Sequence, residues 1–198
     1  MFFRLILKLS LAAIFVIAAF PAFSQVAPSA HEGGLPLVVG VGFSNFATDF
    51  GPGRRMDGVS VWADWQPSRL PGALRGLGIE AEGRDINFGR PSALSKMRQD
   101  TAEGGPIYSW RHYRNFHPYA KYLIGFGSID FPPYGTYSHD TRTVLIPGGG
   151  AEYRAYRNIW VRGDYEYQYW RHIFGPHDLN PNGVTIGVSY DFGSFRRH

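Results

Sequence analysis

The sequence predicts an all-β protein, an eight-stranded antiparallel up-and-down transmembrane barrel, and three observations lead to this prediction. Apolar and polar residues alternate along eight segments with the period of two that places neighbouring side chains on opposite faces of a strand. The two clearest segments, residues 159–169 and 184–192, are about as long as a tilted strand needs to cross a bilayer, roughly 9–11 residues. The connections between segments alternate between longer and shorter ones, as in membrane barrels.

The eight predicted strands follow one another along the chain, at residues 37–46, 57–66, 77–85, 106–113, 119–129, 141–153, 159–169 and 184–192. Pro147 and the glycine run Gly148 to Gly150 interrupt the sixth strand, so we expect a bulge or strong bend there. The long connections all fall at one end of such a barrel and the shorter turns at the other. These long connections are residues 46–55, 86–100, 130–140 and 170–182.

The N-terminal 24 residues have the composition of a secretory signal peptide. A short basic region with Arg4 and Lys8 precedes an apolar run, which is too short for a transmembrane helix of about 20 residues. Small residues at Ala22 and Ser24 predict cleavage before Gln25. The resulting organisation is a signal peptide at 1–24, a flexible segment at 25–36, the barrel at 37–192 and a short basic tail at 193–198.

Composition excludes some classes of function. There is no cysteine, so neither disulfides nor cysteine-based metal sites occur. The formal net charge is +4, and removal of Arg4 and Lys8 with the signal peptide leaves +2 (4 − 2). The sequence pI of about 9.4 is therefore a poor indicator of nucleic-acid binding, and we expect no nucleic-acid partner.

In a membrane barrel the polar strand face encloses a lumen, and eight strands leave just enough room there for side chains. Because a buried charge is costly unless it is paired, we expect Arg111, Lys121 and Arg162 to meet carboxylates across the lumen. The expected partners are Glu80, Glu82, Glu152 and Glu166. The full predicted lumen charge network is Asp64, Glu80, Glu82, Arg84, Arg111, Lys121, Glu152, Arg162, Asp164, Glu166 and Asp191.

Aromatic residues near the strand ends are expected to form girdles at the two membrane interfaces. We assign Tyr169 and Trp170 to the outer rim. The predicted periplasmic rim contains Trp65, Tyr119, Tyr190 and Phe192.

Two stretches resemble the eight-stranded OmpA-like, or porin-like, outer membrane protein beta-barrel domain family. The first is GGGAEYR at 148–154, followed by the turn YRN at 156–158 and the strand WVRGDYEYQ at 160–168. The second, GVTIGVSYDF at 183–192, is similar to the C-terminal assembly signal of such proteins, with Gly187, Tyr190 and Phe192 in the usual places. Family members usually end on the aromatic residue, whereas here six further residues follow Phe192.

The resemblance implies a monomeric protein in the outer membrane of a Gram-negative-type bacterium, without a large open pore. It implies a structural or adhesion role through the long outer loops. The implied partners are outer-membrane lipid, lipopolysaccharide and the barrel assembly machinery. Arg90, Lys96 and Arg98 are candidates for pairing with lipopolysaccharide phosphates.

Two alternative functions stay open at this point. Some barrels of this size are enzymes that act on lipid A, and this chain has Ser138-His139-Asp140 in the third long loop and His172, His177 and Asp178 in the fourth. A hydrolase needs nucleophile, base and orienting acid within hydrogen-bond reach, so the test is whether His139 meets Ser138 and a carboxylate at one rim. We expect no catalytic site, no cofactor and no metal, because the histidines lack metal-ligand spacing.

The second alternative is a secreted soluble lipocalin-like barrel that binds a small apolar ligand. The face of the seventh strand that points outward discriminates between the two fold classes, because a soluble barrel turns its charged face to water.

Overall fold

The computed structural model describes residues 36–49, 55–67, 70–88, 97–131, 138–173 and 177–195. The predicted signal peptide, nearly all of the flexible segment that follows it and the last three residues of the tail lie outside these ranges. Over the described residues the chain forms ten strands and two short 3-10 helices, Gly72–Gly76 and Phe192–Phe195. None of the described helices is long and apolar enough to cross a membrane.

Eight of the strands form a closed antiparallel barrel, so the predicted fold class is confirmed. Each of the first six strands pairs with the next, β7 pairs with β10, and β10 closes the ring on β1. The barrel strands are β1 (Leu37–Ala47), β2 (Arg55–Trp65), β3 (Leu77–Phe88), β4 (Arg98–Ser109), β5 (Phe116–Phe131), β6 (Ser138–Tyr156), β7 (Ile159–Tyr167) and β10 (Asn182–Asp191). The short strands β8 (Tyr169–Ile173) and β9 (His177–Leu179) extend the sheet beside β6.

We call the two ends of the barrel the loop end and the turn end. The loop end carries the connections at 48–54, 89–97, 132–137 and 174–176, and the turn end carries those at 66–76, 110–115 and 157–158. The predicted sorting of connections by length is only partly present. The β2–β3 connection at the turn end is longer than the β5–β6 connection at the loop end, because β5 and β6 continue far into the predicted third loop.

The outward face of the barrel is apolar. Ile124, Phe126 and Ile186 are 54%, 69% and 65% exposed, whereas Arg162 and Glu166 on β7 are buried inside. A soluble protein would not leave a continuous apolar belt of this kind in water, and a membrane barrel covers it with lipid. The soluble lipocalin-like interpretation is therefore wrong.

The fourth strand lies earlier in the chain than predicted. β4 covers Arg98–Ser109, and residues 110–115, which were expected to lie mainly in this strand, form a turn. Gln99, Thr101 and Glu103 point inward, while Arg98 and Asp100 point outward at the loop end. Because both faces are polar here, the alternation in hydrophobicity that predicts a strand is absent.

The prediction of a bulge at the glycine run is also wrong. β6 keeps its register with β5 along its whole length, and the irregularity against β7 lies between Arg154 and Tyr156. Gly148 points inward, where a Cβ atom would lie 3.0 Å from Glu166 Cγ and 3.3 Å from Lys121 Cε. The glycine run therefore makes room for charged side chains from the neighbouring strands.

A second set of glycines accommodates the indole ring of Trp62. Cβ atoms at Gly40, Gly42 and Gly187 would all contact or overlap this ring, with 2.5 Å between the Gly187 position and Trp62 Cη2. Trp62 is buried and lies flat against β1 and β10. Gly187 thus has a packing function within the barrel, and its role in an assembly signal stays a prediction.

The lumen near the loop end is filled by an apolar cluster. Trp170 is fully buried in it, and Gly127 leaves the space that its indole ring occupies. Leu179 packs against the cluster from β9. We define the apolar cluster as Phe46, Met56, Ile86, Met97, Leu123, Ile129, Val144, Ile146, Trp170 and Ile173.

Filling the space under Trp62 should destabilise the barrel. We predict that Gly40→Val lowers the free energy of unfolding by roughly 1–3 kcal/mol, because the added methyl groups overlap the indole ring. Gly163→Val is the matched control, since a Cβ atom there meets nothing within 4 Å. Urea midpoints of the proteins folded into lipid vesicles measure the difference. Equal midpoints for the two variants would contradict the packing argument.

Candidate functional site

Nine charged side chains fill the half of the lumen nearer the turn end, and we call them the charge column. All nine are at most 7% exposed. Three cations lie in sequence along the barrel axis, and carboxylates connect each cation to the next. The charge column comprises Arg84, Lys121, Arg162, Asp64, Glu80, Glu82, Glu103, Asp164 and Glu166.

Arg162 forms the lowest level of the charge column. Its Nη2 donates to Glu80 Oε2 at 2.7 Å, and its Nη1 donates to Asp64 Oδ2 at 3.2 Å. Its Nε donates to the hydroxyl of Tyr119 at 2.7 Å. The guanidinium carbon lies 4.8 Å from the ring centroid of Trp62 and 4.5 Å from that of Tyr119. Both aromatic rings therefore add cation–π contacts to the ion pairs of one buried cation.

Lys121 forms the middle level. Its Nζ atom lies 2.8 Å from Glu80 Oε1, 2.8 Å from Glu82 Oε2, 3.0 Å from Asp164 Oδ2 and 2.5 Å from Glu166 Oε1. Gly148 is on β6, where it pairs with Lys121 of β5 on one side and with Glu166 of β7 on the other. The missing side chain at Gly148 leaves the space in which these two residues meet.

Arg84 forms the upper level. Its Nη1 lies 2.6 Å from Glu166 Oε2 and 3.5 Å from Glu103 Oε1, and its Nη2 pairs with Glu82. The guanidinium carbon lies 4.6 Å from the centroid of the Phe46 ring. Because Phe46 belongs to the apolar cluster, the charged and apolar halves of the lumen meet at this contact.

The charge column holds six carboxylates against three cations. Oxygens of Glu82, Glu103 and Glu166 lie within 4.8 Å of one another, a spacing that a metal ion would accept. Arg84 contacts all three of these carboxylates, and Lys121 contacts two of them. Side-chain cations therefore take the place of a metal here, and the column can act as a packed electrostatic core.

Three residues of the predicted lumen network lie outside the charge column. Arg111 is exposed in the turn after β4 and donates to the amide oxygen of Gln66, and it forms no direct ion pair with a carboxylate among the described residues. Glu152 is half-buried, and its Oε1 has no hydrogen-bond partner among the described residues. Asp191, also half-buried, accepts a hydrogen bond from the backbone of Gly193 at 2.8 Å.

Two of the predicted interface aromatics point into the lumen instead. Tyr119 is 3% exposed and donates to Asp164 Oδ2 at 2.9 Å. Trp170 is fully buried, and its indole N–H donates to Gln168 at 2.9 Å. Each lies two residues from a lumen-facing polar residue, Lys121 or Gln168, and the period of two places it on the same inner face.

The other four predicted interface aromatics face outward. Trp65 and Tyr190 lie near the turn end, and Tyr169 lies near the loop end. Phe192 follows β10 in a 3-10 helix, where its ring centroid is 4.8 Å from that of Tyr190. The participation of Tyr190 and Phe192 in an assembly signal stays a prediction.

Glu103 and Tyr119 are two of the lumen residues that the sequence analysis did not assign to the charge network. Glu103 belongs to β4, where both strand faces are polar and no alternation marks the inner one. Tyr119 was assigned by its aromatic character, although its distance of two residues from Lys121 was the signal that predicts an inward position.

Polar side chains on β1 to β6 lie just beyond the apolar belt at the loop end. On β1 and β2, Asn45 donates to Asp57 at 2.5 Å. On β3 and β4, Arg98 lies 2.9 Å from both Asp85 and Asp100. Arg98 was a candidate for pairing with lipid phosphates, but these two carboxylates already neutralise it. The other two candidates, at positions 90 and 96, lie outside the described residues.

His139 lies on the same level, on the outward face of the β5–β6 hairpin. Its Nδ1 is 2.5 Å from Asp130 Oδ1 and 3.4 Å from Ser128 Oγ, and its Nε2 is 3.2 Å from Thr141 Oγ1. A serine relay needs a serine hydroxyl and a carboxylate on different ring nitrogens. Here Ser128 and Asp130 share Nδ1, and the hydroxyl at Nε2 belongs to Thr141. The expected discriminating contact with Ser138 involves a side chain outside the described part of the chain.

The other histidine candidates form no catalytic arrangement within the described residues. The backbone N–H of His172, not its ring, donates to Asp178 Oδ1 at 2.9 Å. The side chain of His177 is outside the described part of the chain. Asp140 lies 3.2 Å from Arg142 and therefore has a cationic partner.

An apolar belt outside and a column of buried charges inside define a transmembrane β-barrel. The chain matches the model of the outer membrane protein beta-barrel domain over residues 13–192. It belongs to the outer membrane protein beta-barrel domain family, as the sequence motifs predicted, and this membership implies the outer membrane of a Gram-negative-type bacterium.

Solved structures of other outer-membrane proteins share this fold. Neisserial surface protein A is 15% identical, with a TM-score of 0.61 over 81% of this chain and 100% of that one. Ail, the attachment invasion locus protein of Yersinia pestis, is 16% identical, with a TM-score of 0.58 over 81% and 99% of the two chains. OprG from Pseudomonas aeruginosa is 11% identical, with a TM-score of 0.52 over 81% and 97%. A comparison with curated proteins found no match.

Removing the lowest cation of the column should be far more damaging than removing a rim cation. We predict that Arg162→Met lowers the free energy of unfolding by about 3–5 kcal/mol, because Glu80 and Asp64 are left buried without it. Arg98→Met should change it by less than about 1 kcal/mol, since that ion pair is exposed to solvent. Guanidinium unfolding followed by tryptophan fluorescence gives both values. Comparable losses in the two variants would refute an electrostatic core.

Proposed function

We propose that this protein is a non-enzymatic surface protein of the outer membrane with a structural or adhesion role, whose contact region is the β5–β6 hairpin at the loop end. The observation that carries the proposal is the length of this hairpin. Phe126 is the last outward apolar residue of β5 among the side chains that the structure describes. The two strands stay paired for five more residue pairs, from Gly127–Arg142 to Phe131–Ser138. A rigid hairpin beyond the apolar belt presents side chains to partners outside the membrane.

The filled lumen supports a role at the surface rather than in transport. The charge column occupies one half of the lumen and the apolar cluster occupies the other half. Arg84 and Phe46 are in contact where the two halves meet. A solute the size of a sugar or amino acid finds no continuous polar passage through such packing.

The orientation and the partners belong to the same proposal. The loop end faces the cell exterior, the barrel is a monomer, and it contacts outer-membrane lipid and lipopolysaccharide after insertion by the barrel assembly machinery. Ail of Yersinia pestis, 17% identical over 79% of this chain with a TM-score of 0.50, was solved in complex with the heparin analogue sucrose octasulfate. A sulfated polysaccharide is therefore a reasonable first probe for adhesion.

Shortening the hairpin should abolish adhesion and leave the barrel intact. In the test variant, Asn-Gly replaces residues 130–139, which retains the Ile129–Asp140 pair under a two-residue turn. We expect cells that produce the full chain to adhere to immobilised heparin at least severalfold better than cells that produce the shortened one. Both proteins should show the same mobility shift on boiling in SDS gels.

Two further measurements decide between the adhesion and structural roles. If cells with the full chain adhere no better than cells without the protein, adhesion to this class of ligand is refuted. The sensitivity of the same cells to detergent then reports whether the barrel supports the membrane. Stepwise currents of porin size in planar bilayers would contradict the closed lumen, and with it the proposal.

The non-enzymatic assignment has its own test at His139. Its ring is about half-exposed and pairs with Asp130 on an open strand face. We predict that His139→Ala leaves the acylation pattern of lipid A unchanged in producing cells, as judged by mass spectrometry of extracted lipid. A deacylated species that appears with the original chain and disappears with the variant would establish an enzyme instead.

A further inference from the structure

A notch opens in the outer wall of the barrel near the loop end, where β8 separates from β6. The two strands pair only at Val144–Trp170 and Leu145–Tyr169, while β6 continues toward the loop end beside β5. His172 has a φ of 56°, a left-handed backbone turn that accompanies the departure of β8. The notch is a cavity of about 440 Å³ lined by Arg142, Thr143, Leu145, Tyr169, Arg171 and His172.

The notch straddles the boundary between the apolar belt and the polar rim. On β8 the outward residues change from Tyr169 to Arg171, and on β6 they change from Leu145 to Thr143. The neighbouring strand β5 changes at the same level, because Phe126 lies opposite Thr143. Aromatic residues in outer positions mark the depth at which acyl chains end and lipid headgroups begin. The cations of the notch therefore lie at headgroup level.

The two arginines of the notch are only partly compensated, although the carboxylate of Asp178 accepts a hydrogen bond from the backbone of His172 at its edge. Arg171 has no ion-pair or hydrogen-bond partner among the described residues, and Arg142 pairs with one carboxylate, Asp140, at 3.2 Å. Elsewhere on the rim, Arg98 is held between two carboxylates. A guanidinium group binds phosphate through paired N–H donors, so two arginines around one cavity form a suitable phosphate site.

We propose that the notch binds a phosphate-bearing lipid of the outer leaflet. The guanidinium groups of Arg142 and Arg171 contact the phosphate, and His172 lies at the edge of the same cavity. An acyl chain of the lipid packs against Leu145 and Tyr169 on the membrane side. The inference rests on the proposed outward orientation of the loop end and is independent of whether the hairpin is an adhesin.

The experiment compares two double variants of the full-length protein with equal changes in charge. Arg142→Ala with Arg171→Ala removes the notch cations, and Arg55→Ala with Arg98→Ala removes two rim cations on other strands. Native mass spectrometry titrates each detergent-solubilised protein with bis-phosphorylated lipid A and with dephosphorylated lipid A. We expect the notch variant to bind phosphorylated lipid A at least about tenfold more weakly than the original chain, while the control stays within about twofold.

Several outcomes would overturn the assignment. Equal weakening in both double variants would mean general attraction to a basic rim. Equal binding of the dephosphorylated lipid by the original chain would mean that phosphate is not recognised. Displacement of the lipid by inorganic phosphate at the same concentration would identify a free-anion site.

The boiling-dependent gel shift of each variant verifies that the barrel is folded. Adhesion of cells that produce the notch variant to immobilised heparin tests the proposed surface role separately. If these cells adhere while the lipid titration contradicts the notch, only the lipid assignment fails.

Discussion

The structure depends on the burial of one ammonium group, that of Lys121, among four carboxylates. Lipid around the barrel leaves the lumen as the place for charged side chains, and the lumen of eight strands has no room for their hydration. Each charge must then be neutralised by another side chain at short range. Glu80 and Asp164 connect Lys121 to Arg162, and Glu82 and Glu166 connect it to Arg84. Small residues around the column, such as Gly148, exist because these long side chains need the space.

The division of the lumen into a charged and an apolar half explains why the candidate functions lie at the surface. The charged half acts as an electrostatic core, and the apolar half packs like the interior of a soluble domain. The remaining chemistry is at the loop end, where hydroxyl, imidazole and guanidinium groups are exposed at the boundary of the apolar belt. The charges of the rim are unevenly distributed. On β3 and β4, two aspartates neutralise Arg98, whereas beside β6 and β8 Arg171 has no ion-pair partner among the described residues.

The sequence predicts the barrel strands well because one physical rule, the alternation of side chains between the two strand faces, applies to nearly all of them. Alternation with a period of two predicts the inward position of Lys121, Arg162 and Glu166, which lie between outward apolar residues. The same rule was set aside for Tyr119 and Trp170, where aromatic character was given more weight than position, and those assignments were wrong.

The set of lumen carboxylates could be predicted, and Glu80, Glu82 and Glu166 do pair with Lys121 as expected. What could not be predicted is which carboxylate bridges which pair of cations. Lys121 meets Glu82 across the lumen because of barrel stagger and closure, and no local pattern along the chain encodes that distance. The notch could not be predicted either, because it depends on where β8 leaves β6. The β4 strand was misplaced because both of its faces carry polar residues at the loop end.

The order of the charges along the chain has a consequence for biogenesis. Arg84 and three carboxylates arrive on β3 and β4, Lys121 arrives on β5, and Arg162, Asp164 and Glu166 arrive only with β7. A barrel that lacked β7 would hold Lys121 beside Glu80 and Glu82 only. β7 alone would bring Arg162, Asp164 and Glu166 to the bilayer with only the Arg162–Asp164 pair formed. Stepwise insertion of single hairpins is thus disfavoured. Insertion as a nearly closed ring keeps each of the three cations in contact with its carboxylates.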